Sequence, residues 1–170
     1  MPYLKTKTTY LEMLAPPQDE LPPPRPDLAI VPAAAPSVEF YRHLYSSVGS
    51  RYHWVDRLVM AEDELLAILQ DPLVQIHVLE VAGRPAGYAE LDGRTPGEVE
   101  LAYFGLFPEA VGQGLGEYLL NWTLNKAWSG RPGRVWVHTC DLDHPAALPT
   151  YLKAGFRIYD EKIVDQWIPT

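Results

Sequence analysis

The stretch VGQGLG, residues 111–116, constrains this 170-residue chain more than any other. It sets Gly112, Gly114 and Gly116 at alternate positions at the head of GEYLLNWTLNKAW, whose Leu119, Leu120, Trp122, Thr123 and Ala127 share one side of a helix. The segment before it, GEVELAYFGLFP, reads as a strand ended by Pro108. Glycines that join a strand to a helix leave backbone N–H groups unpaired, with the positive end of the helix dipole behind them, which is an arrangement that holds phosphate. Bare backbone lets a pyrophosphate touch the main chain, and three alternating glycines cost conformational entropy that a simple turn does not return.

Spacing excludes two familiar phosphate motifs. A Walker A loop ends in Gly-Lys-Ser/Thr, but here Gly116 is followed by Glu117. A dinucleotide fingerprint runs G-x-G-x-x-G/A with an acidic residue about 20 positions on, whereas these glycines run G-x-G-x-G without such an acid at the end of a second parallel strand.

The rest of the chain gives the glycines a context. TTYLEML alternates as a strand, and nine of the 17 prolines then fall within the first 36 residues, so that 15–36 reads as a linker or polyproline-like arm, or a loop pinned at both ends. VEFYRHLYSSVGSRYHWVDR and AEDELLAILQD predict two helices, the second with Glu62 and Asp63 in its first turn. LVQIHVLEV and PAGYAELDG are β-rich runs around Ala82-Gly83-Arg84, a hairpin continued by the fourth strand, GEVELAYFGLFP. After the glycine-led helix come a fifth strand, GRVWVHTC, a short helix in HPAALPTYLKAG with Gly155 as its cap, and a closing strand, FRIYDEKIVDQWI. With 47% hydrophobic residues the chain buries one core, so residues 1–170 read as one α/β domain with a mixed, mostly antiparallel sheet.

Two blocks in this pattern resemble the GNAT superfamily of acyl-CoA-dependent N-acyltransferases. VGQGLG is similar to its Arg/Gln-x-x-Gly-x-Gly/Ala signature, with Gly114 and Gly116 at the glycine positions. HPAALPTYLKAGF is similar to Asn-x-x-Ala-x-x-x-Tyr-x-x-x-Gly-Phe, and supplies Ala147, Tyr151, Gly155 and Phe156. The resemblance covers residues 74 to 160 well and the first 60 poorly. It departs from the family at Val111, where Arg or Gln is usual, and at His144, where Asn is usual.

The resemblance implies a sheet splayed between the fourth and fifth strands to admit acetyl-CoA, with acetyl passing directly to an amine. It implies a pyrophosphate cradle at Val111, Gly112, Gln113, Gly114, Gly116 and Glu117, with His144 nearby, and pantetheine beside Phe104, Gly105 and Leu106, where a backbone N–H stabilises the oxyanion. An alkyl ammonium must lose a proton before attack, so a base is required. Glu100, 14 residues before Gly114, is the first candidate, Glu98 competes with it, and His138 on the fifth strand is a second proton acceptor. Tyr151 holds the position of the family's acid for the departing thiolate. A non-catalytic acyl-CoA-binding or interaction module on the same fold, and a dinucleotide oxidoreductase, are the rival readings.

Other residues carry weaker signals. His53, Trp54, Asp56 and Glu62 fall where an acceptor pocket would be walled, and Asp56 or Glu62 could hold a cation there, but solvated helix positions are the better account of them. HTCDLDH looks metal-rich, yet a strand splays its ligands to both faces, so no metal site is expected. Cys140, the single cysteine, makes no intrachain disulfide and reads as a small buried hydrophobe or an acyl carrier. Twenty-two acidic against 14 basic residues, a net charge of -8, disfavour nucleic acid and suit either solubility or a small-molecule or peptide amine partner. No apolar run reaches a membrane span, which leads to the expectation of a cytoplasmic protein, alone or as a homodimer.

Overall fold

The computed structural model describes residues 3–168 and contains a seven-stranded sheet with helices on both faces. The strands are β1 (Tyr3–Met13), β2 (Leu28–Pro32), β3 (Val74–Val81), β4 (Arg84–Asp92), β5 (Glu98–Leu106), β6 (Arg134–Cys140) and β7 (Arg157–Trp167), in the order β2-β3-β4-β5-β6-β1-β7. All neighbours are antiparallel except β5 and β6. The predicted fourth and fifth strands are thus β5 and β6, because β2 enters the count.

That additional strand lies inside the proline-rich segment. Ile30 and Val31 give LAIVP strand character, and it pairs along β3 from Leu28↔Val81 to Pro32↔His77 at the sheet edge, where a proline is tolerated. The single helix expected over 38–57 is divided into α1 (Val38–Gly49), a 3-10 turn (Ser50–Tyr52) and the one-turn α2 (Asp56–Val59). The division falls at His53, whose φ of 62° cannot continue a right-handed helix. The remaining helices are α3 (Glu62–Gln70), α4 (Leu115–Ser129) and α5 (Ala147–Ala154).

Two cores flank the sheet. Tyr41, Leu44 and Tyr45 of α1 and Leu65 of α3 pack on Ile76, Val78 and Tyr88 on one face. Leu120 and Leu124 of α4 and Tyr151 of α5 pack on Leu91, Leu101, Val135 and Val137 on the other. Between them β5 changes partners. It pairs with β6 only over Glu98–Glu100, opposite Arg134–Trp136, and diverges from it thereafter. A bulge accompanies the divergence: Glu90 faces Tyr103 and Leu91 faces Leu101, so Ala102 is the extra residue. A bulge bends and twists its strand, which turns β5 away from β6 and keeps Glu100 and Tyr103 on the α1 face although they are three positions apart.

Candidate active site

The divergence of β5 from β6 opens a cleft of about 640 Å³ that runs across the sheet. Beyond Glu100, β5 has no strand on its β6 side, so main-chain groups around Phe104 face the cleft. The α1 helix approaches this strand closely, and a Cβ at position 105 would overlap the Val48 side chain. Gly105 is therefore fixed by packing as well as by its place beside the opening.

At one end lies the glycine loop. Gly112 and Gly114 have φ of 85° and 76°, and a Cβ on either would meet nothing within 4 Å. Gly114 is the N-cap of α4 and offers no side-chain cap. Among the described residues the N–H groups of Gly112 to Glu117 find no protein acceptor. An open, positively polarised cradle of this kind fits a pyrophosphate. Val111, Gly112 and Gly116 line the cleft, whereas two side chains turn to protein partners. Gln113 donates to the Glu109 carbonyl at 3.0 Å and accepts from Arg25, and Glu117 pairs with Lys153 of α5 at 3.2 Å. Val111 is exposed and brings no charge to the loop.

At the other end the two proposed bases form one pair. Parallel register sets Glu100 opposite Trp136, and His138, two residues on, reaches back so that its Nδ1 lies 3.6 Å from Glu100 Oε2. That is just beyond direct hydrogen-bond length. Burial, reinforced by Asp92 and Glu90 on the neighbouring strand, pushes the Glu100 carboxyl up to about 7. Burial lowers the His138 imidazole against the opposing pull of Asp143 and Asp56. The imidazole is then neutral at pH 7, and the contact joins a carboxyl to a neutral ring. Glu98 is committed elsewhere, with an Oε2–Arg134 Nη1 separation of 3.3 Å.

Tyr151 enters from the opposite side. It is almost fully buried, lines the cleft, and packs against Phe104 and Phe156 at ring separations of 6.1 and 5.7 Å. Burial raises its phenol far above the usual value, so it is held as a proton donor. Cys140 also lines the cleft, but burial and Asp143 push its thiol up, away from the thiolate an acyl carrier needs.

The wall facing Glu100 is aromatic and acidic, and most of it was absent from the sequence reading. Tyr103 packs at 5.1 Å from Tyr45 and 5.2 Å from Trp54. Arg57 and Glu90 form a buried pair at 3.1 Å, with the Tyr41 hydroxyl donating to Glu90 at 2.5 Å. Asp92 is held by Arg94 at 2.8 Å. A charged residue in the otherwise apolar YAEL of β4 was the one sequence signal for Glu90. Two contacts cross the cleft: the Trp54 indole donates to Asp143 at 3.2 Å, and Tyr52 packs on His144 at 5.7 Å. His144 Nδ1 accepts from the Ala146 N–H at 2.9 Å and so orders the loop before α5. His53, Trp54 and Asp56 line the pocket, while Glu62 lies in the exposed first turn of α3. Among the described residues no group of three His, Cys, Asp or Glu side chains is placed to hold a metal, and no helix is long and apolar enough to cross a membrane.

A sheet splayed between β5 and β6, with a glycine cradle at a helix start and Glu100, His138 and Tyr151 lining the opening, defines an acyl-CoA N-acyltransferase type of fold. The profile of the acetyltransferase (GNAT) family matches residues 37–156, and the chain belongs to that family. No curated protein matches it. Among solved structures it is similar to a GCN5-related N-acetyltransferase from Sphaerobacter thermophilus, with 16% identity over 96% of this chain and 52% of that one, and a TM-score of 0.68. An aminoglycoside acetyltransferase from an uncultured soil metagenomic sample, solved with trehalose, shares 14% identity over 85% of this chain and 97% of its own, with a TM-score of 0.64. A tandem GNAT protein from the clavulanic acid biosynthesis pathway shares 17% identity over 93% of this chain and 52% of its own, at a TM-score of 0.64. The chain spans about three fifths of the length of several such structures, 61% and 63% in two of them.

Proposed function

We propose that the protein transfers the acetyl group of acetyl-CoA directly to a primary amine carried by a small molecule or a peptide. The observation that carries this reading is the convergence of Glu100, His138 and Tyr151 in one cleft that ends in the open glycine cradle. The cradle N–H groups would hold the pyrophosphate, and the free side of β5 near Phe104, Gly105 and Leu106 would take the pantetheine arm. Acetyl-CoA supplies a thioester carbonyl and a thiol leaving group.

The chain's own residues handle the protons. Glu100, poised near neutrality, accepts one from the incoming ammonium or attacking amine, and His138 shares it. An unpaired N–H of β5 meets the negative charge that develops on the carbonyl oxygen. Tyr151 hydrogen-bonds or protonates the departing sulfur. Asp56, Asp92 and Asp143 line the cleft with Tyr45, Trp54 and Tyr103, which suits a cationic acceptor.

Calorimetry and thermal melting test the first half: acetyl-CoA at many times its Kd should raise Tm, and NADH should not. Thiol release over a panel of amines, amino acids, aminoglycosides and peptides tests the second. Acetyl-CoA that gives neither heat nor a shift in Tm overturns the reading, and binding without thiol release on any amine reduces the protein to an acyl-CoA-binding module.

A further inference from the structure

The proline-rich segment is a strap laid across α4, and it ends at the glycine loop. Asn121 of α4 clamps its backbone twice, accepting from the Leu21 N–H at 2.8 Å and donating to the Asp19 carbonyl at 2.8 Å. Downstream, the Asp27 carbonyl accepts from the Ala82 N–H at 2.8 Å, and the chain then enters β2. Between these anchors stand Pro22, Pro23, Pro24 and Pro26, which limit the freedom lost on ordering the segment. Arg25 is thus held in place from both sides.

Its guanidinium is oriented as well as placed. Asp27 takes one edge, with Nε at 2.9 Å and Nη2 at 2.6 Å, and the remaining Nη1 donates to Gln113 Oε1 at 2.8 Å. Gln113 lies between the two left-handed glycines of the cradle, where N–H groups stand without acceptors. Among the described residues, two other positions at the loop offer it no free cation: position 111 is a valine, and Lys153 is paired with Glu117. In a chain of net charge -8, a polyanionic ligand needs a local positive group.

We propose that Arg25 is a phosphate-binding residue of the acyl-CoA site, supplying from the strap the positive side chain that Val111 does not. This rests on the acyl-CoA reading above. The diphosphate and the 3′-phosphate of CoA share the chemistry that a guanidinium recognises, and the test below distinguishes them. Asp27 occupies one edge of the guanidinium and offsets part of its charge, which leaves Nη1, on Gln113, as the group directed at the loop.

Isothermal titration calorimetry with CoA itself, at low salt and without an acceptor, tests this separately from turnover. Wild-type protein that gives no heat with CoA removes the acyl-CoA reading. If wild type binds, Arg25→Ala should weaken CoA about tenfold, the worth of one charge-assisted hydrogen bond. Asp27→Ala, which breaks the same ion pair but keeps the cation, should bind CoA as tightly as wild type or more so. Arg25→Ala combined with Val111→Arg should recover most of the loss. Dephospho-CoA separates the two phosphates: a loss that persists assigns Arg25 to the diphosphate, and a loss that vanishes assigns it to the 3′-phosphate. Arg25→Gln, which keeps a polar partner for Gln113, covers the case in which alanine detaches the strap, and it should lose affinity similarly with an unchanged Tm. Equal losses in Arg25→Ala and Asp27→Ala, or unchanged affinity in both Arg25 variants, overturn the proposal.

Discussion

Replacing Glu100 by glutamine should make the protein a poorer catalyst and a more stable molecule, and the gain should depend on pH in a set direction. An unfolded glutamate carboxyl titrates near 4.5, and in the fold burial together with Asp92 and Glu90 holds it at about 7. A raised carboxyl means that the folded state keeps its proton longer than the unfolded state does. Its favourable contribution is complete below pH 4.5 and is lost as pH rises through 7. At about 1.4 kcal/mol per pH unit across that interval, wild type loses at most about 3.5 kcal/mol that glutamine does not. The side chain is 22% exposed, so solvent reduces this ceiling. For a domain of this size the gap corresponds to roughly 7 to 14 °C in Tm at most. Urea denaturation of both proteins at pH 5.0 and pH 8.5 measures the difference directly, because every other titrating group is common to the pair. The variant should draw level with wild type near pH 5 and lead it at pH 8.5. Turnover on an accepting amine should meanwhile fall by roughly 10²-fold at neutral pH and partly return as pH approaches the amine's own pKa. A stability gap that does not change with pH, or a variant less stable at pH 8.5, would refute the account of Glu100 as a carboxyl destabilised to serve as a base.

Two further outcomes separate the parts of the site. Tyr151→Phe should lower kcat with little change in acetyl-CoA affinity, and without recovery at high pH, since alkaline solution offers the departing thiolate no proton; steady-state kinetics across pH 6 to 10 would show it. Arg57→Met leaves Glu90 buried without its partner and should cost about 3–5 kcal/mol in a denaturant titration, much of it regained when Glu90→Gln is added.

The parts of the site that follow chain order were legible in the sequence. The glycine loop, its helix and Tyr151 belong to contiguous runs, and the structure buries Leu119, Leu120, Thr123 and Ala127 as the apolar spacing implies, with Leu124 in the core and Trp122 only half-buried. Glu100 and His138 were each visible, but as competitors. Their relation depends on how β5 and β6 slide past one another, and a parallel register leaves no trace in either segment alone. The proline-rich segment misled in a specific way. Its composition argues for an unpaired arm, yet Ile30 and Val31 within it carry the β-branched signal of a strand, and hydrogen bonds to β3 outweigh the composition.

What could not be read at all is the tuning of Glu100, and the reason lies in one residue. Strict alternation along β5 sends positions 100 and 103 to opposite faces. The bulge at Ala102 absorbs the odd residue, so that Glu100 faces the same side as Tyr103 and, across the antiparallel register, the same side as Asp92 and Glu90. Those two carboxylates are 8 and 10 positions away in the chain and beside Glu100 in the fold. The same extra residue twists β5 away from β6 and opens the cleft that the glycine loop serves. One bulge therefore does two things that the proposed chemistry requires together: it makes room beside the strand, and it turns Glu100 to the face where burial, reinforced by Asp92 and Glu90, holds its carboxyl near neutral pH.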